Sequence, residues 1–180
     1  MQIFIGILLG ISVSLTAWRL GSLSKSGAVA AALTGSLIFG LGGLPWAALL
    51  LTFFISSSAL SKAFKQRKTA VNEKFSKGSR RDWAQVLAND GLGTLLVIGF
   101  AFFSGQPIIW FTYAGAMATV NADTWATELG VLNPRRPRLL TTGQPVEPGT
   151  SGAISLYGTL ATLAGAALIG LVGAVFSPAG

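Results

Sequence analysis

Apolar residues occur along this chain in six long runs that are separated by short polar or glycine-rich segments. A helix needs about 20 mostly apolar residues to cross the hydrocarbon core of a bilayer, and the second and third runs are the shortest by this measure. The pattern predicts an all-α integral membrane protein, with about six transmembrane helices in a single domain over residues 1–180. The predicted spans are approximately 3–18, 28–41, 46–60, 83–103, 108–126 and 153–176.

Basic residues fall on only one set of the segments that connect these spans. All 13 lysines and arginines lie in segments 19–27, 62–82 and 130–152, and none lies in the breaks near 42–45 and 104–107. With six spans, the three basic segments share one side of the membrane, and lysine-rich and arginine-rich loops remain in the cytoplasm. We therefore expect a cytoplasmic or inner membrane location, with these loops in the cytoplasm and both termini outside.

The net charge of +7 comes from these basic segments, which lie beside the apolar runs. We expect the basic loop 62–82 to attract anionic lipids, and we do not expect nucleic acid as a partner. A second interpretation is that Lys74, Lys77, Arg80 or Arg81 also clamps a polyphosphate. The sequence leaves the oligomeric state open.

The chain contains no histidine and no cysteine, which removes the commonest ligands of zinc. Any bound metal ion must therefore be held by oxygen atoms, a preference typical of Mg²⁺. Three acidic residues lie within or beside the apolar runs, where a carboxylate is costly and tends to have a function. These candidates for catalysis and for metal ligation are Asp123, Asp90 and Glu128.

Asp123 and Glu128 end the fifth span, within the sequence Asn-Ala-Asp-Thr-Trp-Ala-Thr-Glu. On a regular helix, residues five apart point about 140° away from each other, so the two acids would converge on one ion only if the helix unwound. Either acid could instead pair with a loop arginine. Asp90 lies about two turns into the fourth span, beside Asn89, where a buried amide network is the alternative to a catalytic role.

Two segments rich in glycine and serine precede predicted helices on the basic side and could bind phosphate through backbone N–H groups. The first contains Ser24, Lys25 and Ser26, and the second contains Gly149, Thr150, Ser151 and Gly152. Such residues are also ordinary helix caps. Further candidate contacts to phosphate or nucleotide are Asn89, Asn121 and Thr124.

Three of these segments, 22–28, 121–130 and 149–155, resemble the DUF92 family. This family includes the transmembrane protein 19 group and phytyl-phosphate kinases, which use a nucleoside triphosphate such as CTP. The resemblance implies that Asp123 and Glu128 serve a metal–nucleotide site and that residues 149–152 bind a phosphate. It also implies a longer chain, so we expect truncation at the C-terminus.

The resemblance and the polar site on one face together predict a kinase that acts at the cytoplasmic membrane face. Its substrates would be CTP or another nucleoside triphosphate, with Mg²⁺, and an isoprenoid monophosphate that it converts to the diphosphate. The alternative is a small-solute or lipid transporter that uses Asp90 and Asp123 as coupling-ion sites. A scaffold whose acids only pair with the basic loops is a third hypothesis.

Overall fold

A computed structural model describes residues 1–64, 80–103 and 106–177 of the chain. Its long helices are α1 (Gln2–Arg19), α2 (Lys25–Leu37), α3 (Gly43–Ala63), α4 (Trp83–Phe102), α5 (Pro107–Gly130) and α6 (Leu156–Val175). A π-helical turn, Ile38–Gly42, joins α2 to α3. The all-α prediction is confirmed. Most of the basic loop 62–82 lies outside the described residues.

The chain reverses direction at Gly43, whose φ of 71° lies in the region that favours glycine. The start of α2 is beside the start of α4, because the Ser24 N–H donates to the Arg81 carbonyl oxygen at 3.0 Å. The start of α3 is instead beside the end of α4, where the Trp46 and Phe100 rings are 5.2 Å apart. Helices α2 and α3 are therefore antiparallel, as expected for separate spans.

The remaining helices also alternate in direction. Ser61, near the end of α3, donates to Glu128, near the end of α5, at 2.7 Å. A Cβ added to Gly158, early in α6, would lie 3.6 Å from the Gly130 Cα. The helix termini that flank the three basic connections thus meet at one end of the bundle, here called the basic end; these termini are Arg19, Lys25, Ala63, Trp83, Gly130 and Leu156.

The opposite end, here called the far end, contains a buried aromatic cluster. The Trp46 ring lies 4.3 Å from Tyr113 and 5.7 Å from Trp110, between centroids. The Tyr113 hydroxyl donates to the Trp46 carbonyl oxygen at 2.9 Å. Tilted and edge-to-face ring contacts and a satisfied tyrosine hydroxyl hold this cluster together, and it joins α3, α4 and α5 at that end.

Four helical stretches are long and apolar enough to cross a membrane, namely Gln2–Arg19, Lys25–Ala63, Trp83–Phe102 and Leu156–Val175. The second of these contains both α2 and α3, which the reversal at Gly43 separates. Helix α5 is not among the four, and its second half carries Asn121, Asp123 and Glu128. Six crossings by these helices stay a prediction.

The connection from α5 to α6 forms a small β-hairpin, which the sequence interpretation treated as a plain loop. Strand β1 (Arg138–Leu139) pairs antiparallel with β2 (Ala153–Ile154). The Leu140 N–H donates to the Gly152 carbonyl oxygen at 3.1 Å, and the Arg138 Nη1 donates to the Gly143 carbonyl oxygen at 2.8 Å. The hairpin holds the glycine segment 149–152 over the basic end.

Candidate functional site

An open cleft lies at the basic end, between the end of α5, the β-hairpin and the start of α6. Asp123 and Thr127 line it from α5, and Arg135 lines it from the connection. The segment 149–152 forms part of the same wall. The cleft therefore combines one carboxylate, one guanidinium and a glycine-containing loop, here called the Asp123 cleft.

Asp123 is available for binding because of its position on α5. The helix remains regular to Gly130, and the Asp123 side chain is exposed while its neighbours Asn121 and Ala122 are buried. Thr127 lies one turn further along the helix and also lines the cleft. The carboxylate and this hydroxyl consequently face the same open space.

The segment 149–152 is a turn rather than the start of a helix. Gly149 and Gly152 have φ angles of 86° and 76°, and Thr150 Oγ1 donates to the Glu147 carbonyl oxygen at 2.8 Å. Strand β2 intervenes before α6, whose N-cap is Ser155, with its hydroxyl accepting from the Gly158 N–H at 3.1 Å. The expectation that this segment lies directly at a helix N-terminus is therefore wrong.

The turn nevertheless offers hydrogen-bond donors to the cleft. Within the part of the chain that the structure describes, the N–H groups of Gly149 and Ser151 have no acceptor. Successive backbone N–H groups in a glycine-rich turn bind anions well. Phosphate binding by this segment stays a prediction, and it would depend on the turn geometry instead of a helix dipole.

Asp90 and Glu128 belong to a different place, where both are buried close to Arg81. Burial lowers the pKa of the Arg81 guanidinium below its ordinary value, and the two nearby carboxylates oppose this with a smaller effect. This guanidinium also lies 5.2 Å from the centre of the Phe53 ring, within the range of a cation–π interaction. Arg81, Asp90 and Glu128 therefore form a buried charge cluster among α3, α4 and α5.

This separation does not favour the prediction that Asp90 or Glu128 assists Asp123 in holding one metal ion. Glu128 accepts a hydrogen bond from Ser61 at 2.7 Å, on the side of α5 that faces α3, whereas Asp123 faces the open cleft. Among the described residues, no group of three acidic side chains is placed to hold a metal ion. Because α5 does not unwind, Asp123 is the one carboxylate of the three in this cleft.

The expectation that Asn121 contacts phosphate or nucleotide is also corrected, because its side chain forms hydrogen bonds inside the bundle. Its Oδ1 accepts from the hydroxyls of Ser56 and Ser57 at 3.1 and 3.3 Å, and its Nδ2 donates to the Gly165 carbonyl oxygen at 2.7 Å. The side chain is fully buried and connects α3, α5 and α6. It fixes the rotation of α5, and its complete burial keeps it from contacting a nucleotide in the cleft.

The remaining polar candidates on helices lie away from the Asp123 cleft. The Thr124 hydroxyl donates to the Val120 carbonyl oxygen at 3.0 Å within its own helix. Asn89 is half-buried on α4, next to Asp90 in sequence. Neither residue lines the cleft that contains Asp123.

The segment Ser24–Ser26 caps α2, as the alternative interpretation anticipated. The Ser24 hydroxyl accepts from the Gly27 N–H at 3.1 Å and lies 3.1 Å from the Ser26 hydroxyl. Lys25 begins the helix and is exposed. These residues adjoin Arg81 rather than the segment 149–152, so the two predicted phosphate loops do not share one cleft.

Comparison with known proteins agrees with the arrangement of these motifs. The sequence profile of the family described as Integral membrane protein DUF92 matches residues 8–179. The chain belongs to this family. No solved structure matches the DUF92 chain.

Among its relatives, protein PGR of Arabidopsis thaliana is 33% identical over 97% of this chain and 65% of its own length. An uncharacterized membrane protein of Methanocaldococcus jannaschii is 34% identical over 96% of this chain and 70% of its own. The chloroplastic protein VTE6 of Arabidopsis thaliana is 29% identical over 84% and 46%. This DUF92 chain thus spans about half to two thirds of the length of such relatives.

Two residues of the site were missed or misassigned by reasoning from sequence. Arg81 was grouped with the basic loop 62–82. In the structure its backbone is held at the start of α2, because the Arg81 N–H donates to the Ser22 carbonyl oxygen and the Arg81 carbonyl oxygen accepts from the Ser24 N–H. Arg135 was used only for topology, although it lines the Asp123 cleft. Its position between the acidic motif and the glycine segment was the signal that could have identified it.

Proposed function

We propose that this chain is a kinase that transfers a phosphoryl group from CTP or another nucleoside triphosphate to an isoprenoid monophosphate, with Mg²⁺. The supporting observation is that Asp123, Arg135 and the segment 149–152 line one cleft. Phosphoryl transfer depends mainly on positioning and on neutralising charge, so it needs neither histidine nor cysteine. The family resemblance supports the same class of reaction.

In this proposal the segment 149–152 and Arg135 bind the phosphate groups of the nucleotide. Backbone N–H groups and a guanidinium both match phosphate oxygens. Asp123 would hold Mg²⁺, since this ion commonly uses one or two carboxylates together with substrate phosphates and water. The metal would supply neutralisation of the developing negative charge.

The transfer step requires no base from the protein. A phosphate monoester has its second pKa near 6 and is mostly a dianion at neutral pH. One of its oxygens forms the new bond to the γ-phosphorus, the bond between that phosphorus and the bridging oxygen breaks, and the nucleoside diphosphate leaves with the electron pair. The task of the chain is to align the two phosphates and to stabilise their charge.

The orientation that we propose places the basic end in the cytoplasm, where soluble nucleotides are available. Lysine and arginine in short loops favour that side. The described basic residues at this end include Arg19, Lys25, Lys62, Arg80 and Arg135. Nucleotide would then enter the cleft directly from the aqueous phase.

The test is an assay of the purified chain in nanodiscs, with CTP, ATP, GTP and UTP as donors and a panel of radiolabelled prenyl monophosphates as acceptors. We expect formation of a prenyl diphosphate that requires Mg²⁺ and stops on chelation. Asp123→Asn should lower kcat by at least about 100-fold, comparable to the loss of a group that stabilises transition-state charge.

Glu147→Gln is the matched control, because it makes the same change of charge just outside the cleft lining. It should retain activity close to that of the original chain. If no donor yields a diphosphate, or if both variants behave alike, the kinase proposal fails. Sodium-dependent or proton-dependent flux in liposomes that is lost in Asp90→Asn would support the transporter instead.

A further inference from the structure

A second cleft adjoins the Asp123 cleft at the start of α6. Arg135 and Ser155 line both, so the two spaces share a wall. The additional lining of the second cleft includes Arg136, Arg138 and Tyr157. It is here called the arginine cleft.

The two clefts differ in charge. The arginine cleft is lined by three arginines and by no acidic residue, whereas the Asp123 cleft contains a carboxylate. Arg135 and Arg136 are exposed, and Arg138 uses Nη1 for the Gly143 carbonyl oxygen while its other donors remain. A site of this composition suits a phosphate monoester, which carries nearly two negative charges at neutral pH.

An apolar surface continues from this cleft along α6. Leu156 lines the cleft and is 65% exposed, and Leu160 and Leu163 follow it at 54% and 63%. Positions i, i+4 and i+7 lie on one face of a helix, so these leucines form a continuous stripe. Tyr157, at the mouth, has the amphipathic character of residues found at membrane interfaces.

We propose that the arginine cleft binds the phosphate of the lipid acceptor, with the isoprenoid chain lying along the stripe Leu156–Leu160–Leu163. This inference rests on the proposed function, and it assigns the acceptor its own subsite beside the nucleotide. The charge of the cleft matches the head of the acceptor and the stripe matches its tail. The shared wall at Arg135 brings the two phosphates to adjacent positions.

The arrangement implies that the head group determines affinity. Lipid tails are as apolar as leucine, so moving an isoprenoid chain from the bilayer onto the stripe brings little hydrophobic gain. Geranyl and geranylgeranyl monophosphate should therefore bind within about threefold of each other at equal mole fraction in the membrane. A strong dependence on chain length would indicate an enclosed tail groove and overturn the placement along α6.

The experiment measures binding of radiolabelled geranylgeranyl monophosphate to the chain in phosphatidylcholine nanodiscs without nucleotide. Arg136→Gln should weaken binding about tenfold, the loss expected for one charge-assisted contact. Arg19→Gln, at the end of α1, is the matched control and should leave binding unchanged. Geranylgeraniol should not compete.

Phosphatidylglycerol added to the nanodiscs separates a substrate site from a general anionic-lipid site. The monoester should resist displacement by this singly charged diester, and equal displacement would overturn the inference. So would unchanged binding in an Arg136→Gln, Arg138→Gln double variant. Because no turnover is needed, lipid binding through the arginines without any kinase activity would refute the proposed function alone.

Discussion

The network around Asn121 leads to the sharpest prediction about this fold, because the same residue was a candidate ligand for nucleotide. We consider the substitution Asn121→Ala. It removes two hydrogen bonds accepted from Ser56 and Ser57 and one donated to the Gly165 carbonyl oxygen. These bonds tie α5 to both α3 and α6, so their loss should loosen the bundle at the level of Asp123.

The magnitude follows from the number of bonds. Hydrogen bonds between membrane helices average about 0.6 kcal/mol each, so three contribute about 2 kcal/mol. Truncating a fully buried side chain also leaves a small cavity, which brings the expected loss to about 2–3 kcal/mol. This corresponds to an increase of roughly 30-fold to 150-fold in the unfolding equilibrium constant.

The assay is unfolding by sodium dodecyl sulfate in mixed micelles, followed by tryptophan fluorescence. Thr119→Val is the control on the same helix, since this exposed hydroxyl bonds only the Gly115 carbonyl oxygen at 2.9 Å. It should change stability by less than about 0.5 kcal/mol. Well below its unfolding midpoint, Asn121→Ala should retain the affinity for nucleotide of the original chain.

The reasoning would be refuted by the opposite pair of results. If Asn121→Ala unfolds at the same detergent fraction as the original chain yet binds nucleotide much more weakly, then Asn121 is a ligand and the buried network is not its role. A loss of stability with unchanged affinity identifies it as the residue that fixes the rotation of α5. In that case it positions Asp123 only indirectly.

Two further predictions concern the surroundings of Arg81. A Cβ at Gly27 would overlap the Arg81 carbonyl oxygen, so Gly27→Ala should cost about 1–3 kcal/mol in unfolding free energy. Gly91→Ala is the control, because a Cβ there meets open space, and it should be neutral or stabilising by up to about 1 kcal/mol. Ser61→Ala removes the hydrogen bond to the buried Glu128 carboxylate and should lower the unfolding free energy by about 2 kcal/mol. The same detergent titration measures this loss, and an unchanged midpoint would show that the bond does not stabilise the bundle.

Much of the bundle follows from hydropathy and charge. The six apolar runs correspond to six helical segments, and the helix termini that flank the basic connections meet at one end of the described bundle. The π-helical turn and the reversal at Gly43 were harder to predict from the sequence, because uncharged turn residues between two short apolar runs also fit a tilted or re-entrant segment. Local backbone geometry decided between them.

The site was predictable in its parts and not in its assembly. The 3.6-residue period already placed Asp123 and Glu128 about 140° apart, and the regular α5 keeps them on different sides. Periodicity does not say which neighbour each side meets, so the burial of Glu128 against Ser61 could not be read from it. Ser24 illustrates the same limit, since capping and phosphate binding require identical residue types.

The aromatic cluster at the far end has a consequence for where lipid molecules travel. Trp46, Trp110 and Tyr113 fill that end of the described bundle, while the Asp123 cleft and the arginine cleft open at the other. Under the proposed function, an acceptor that enters from one leaflet would leave as product into the same leaflet. Any enzyme that consumes the product would then have to work from that leaflet too, or depend on a separate flippase.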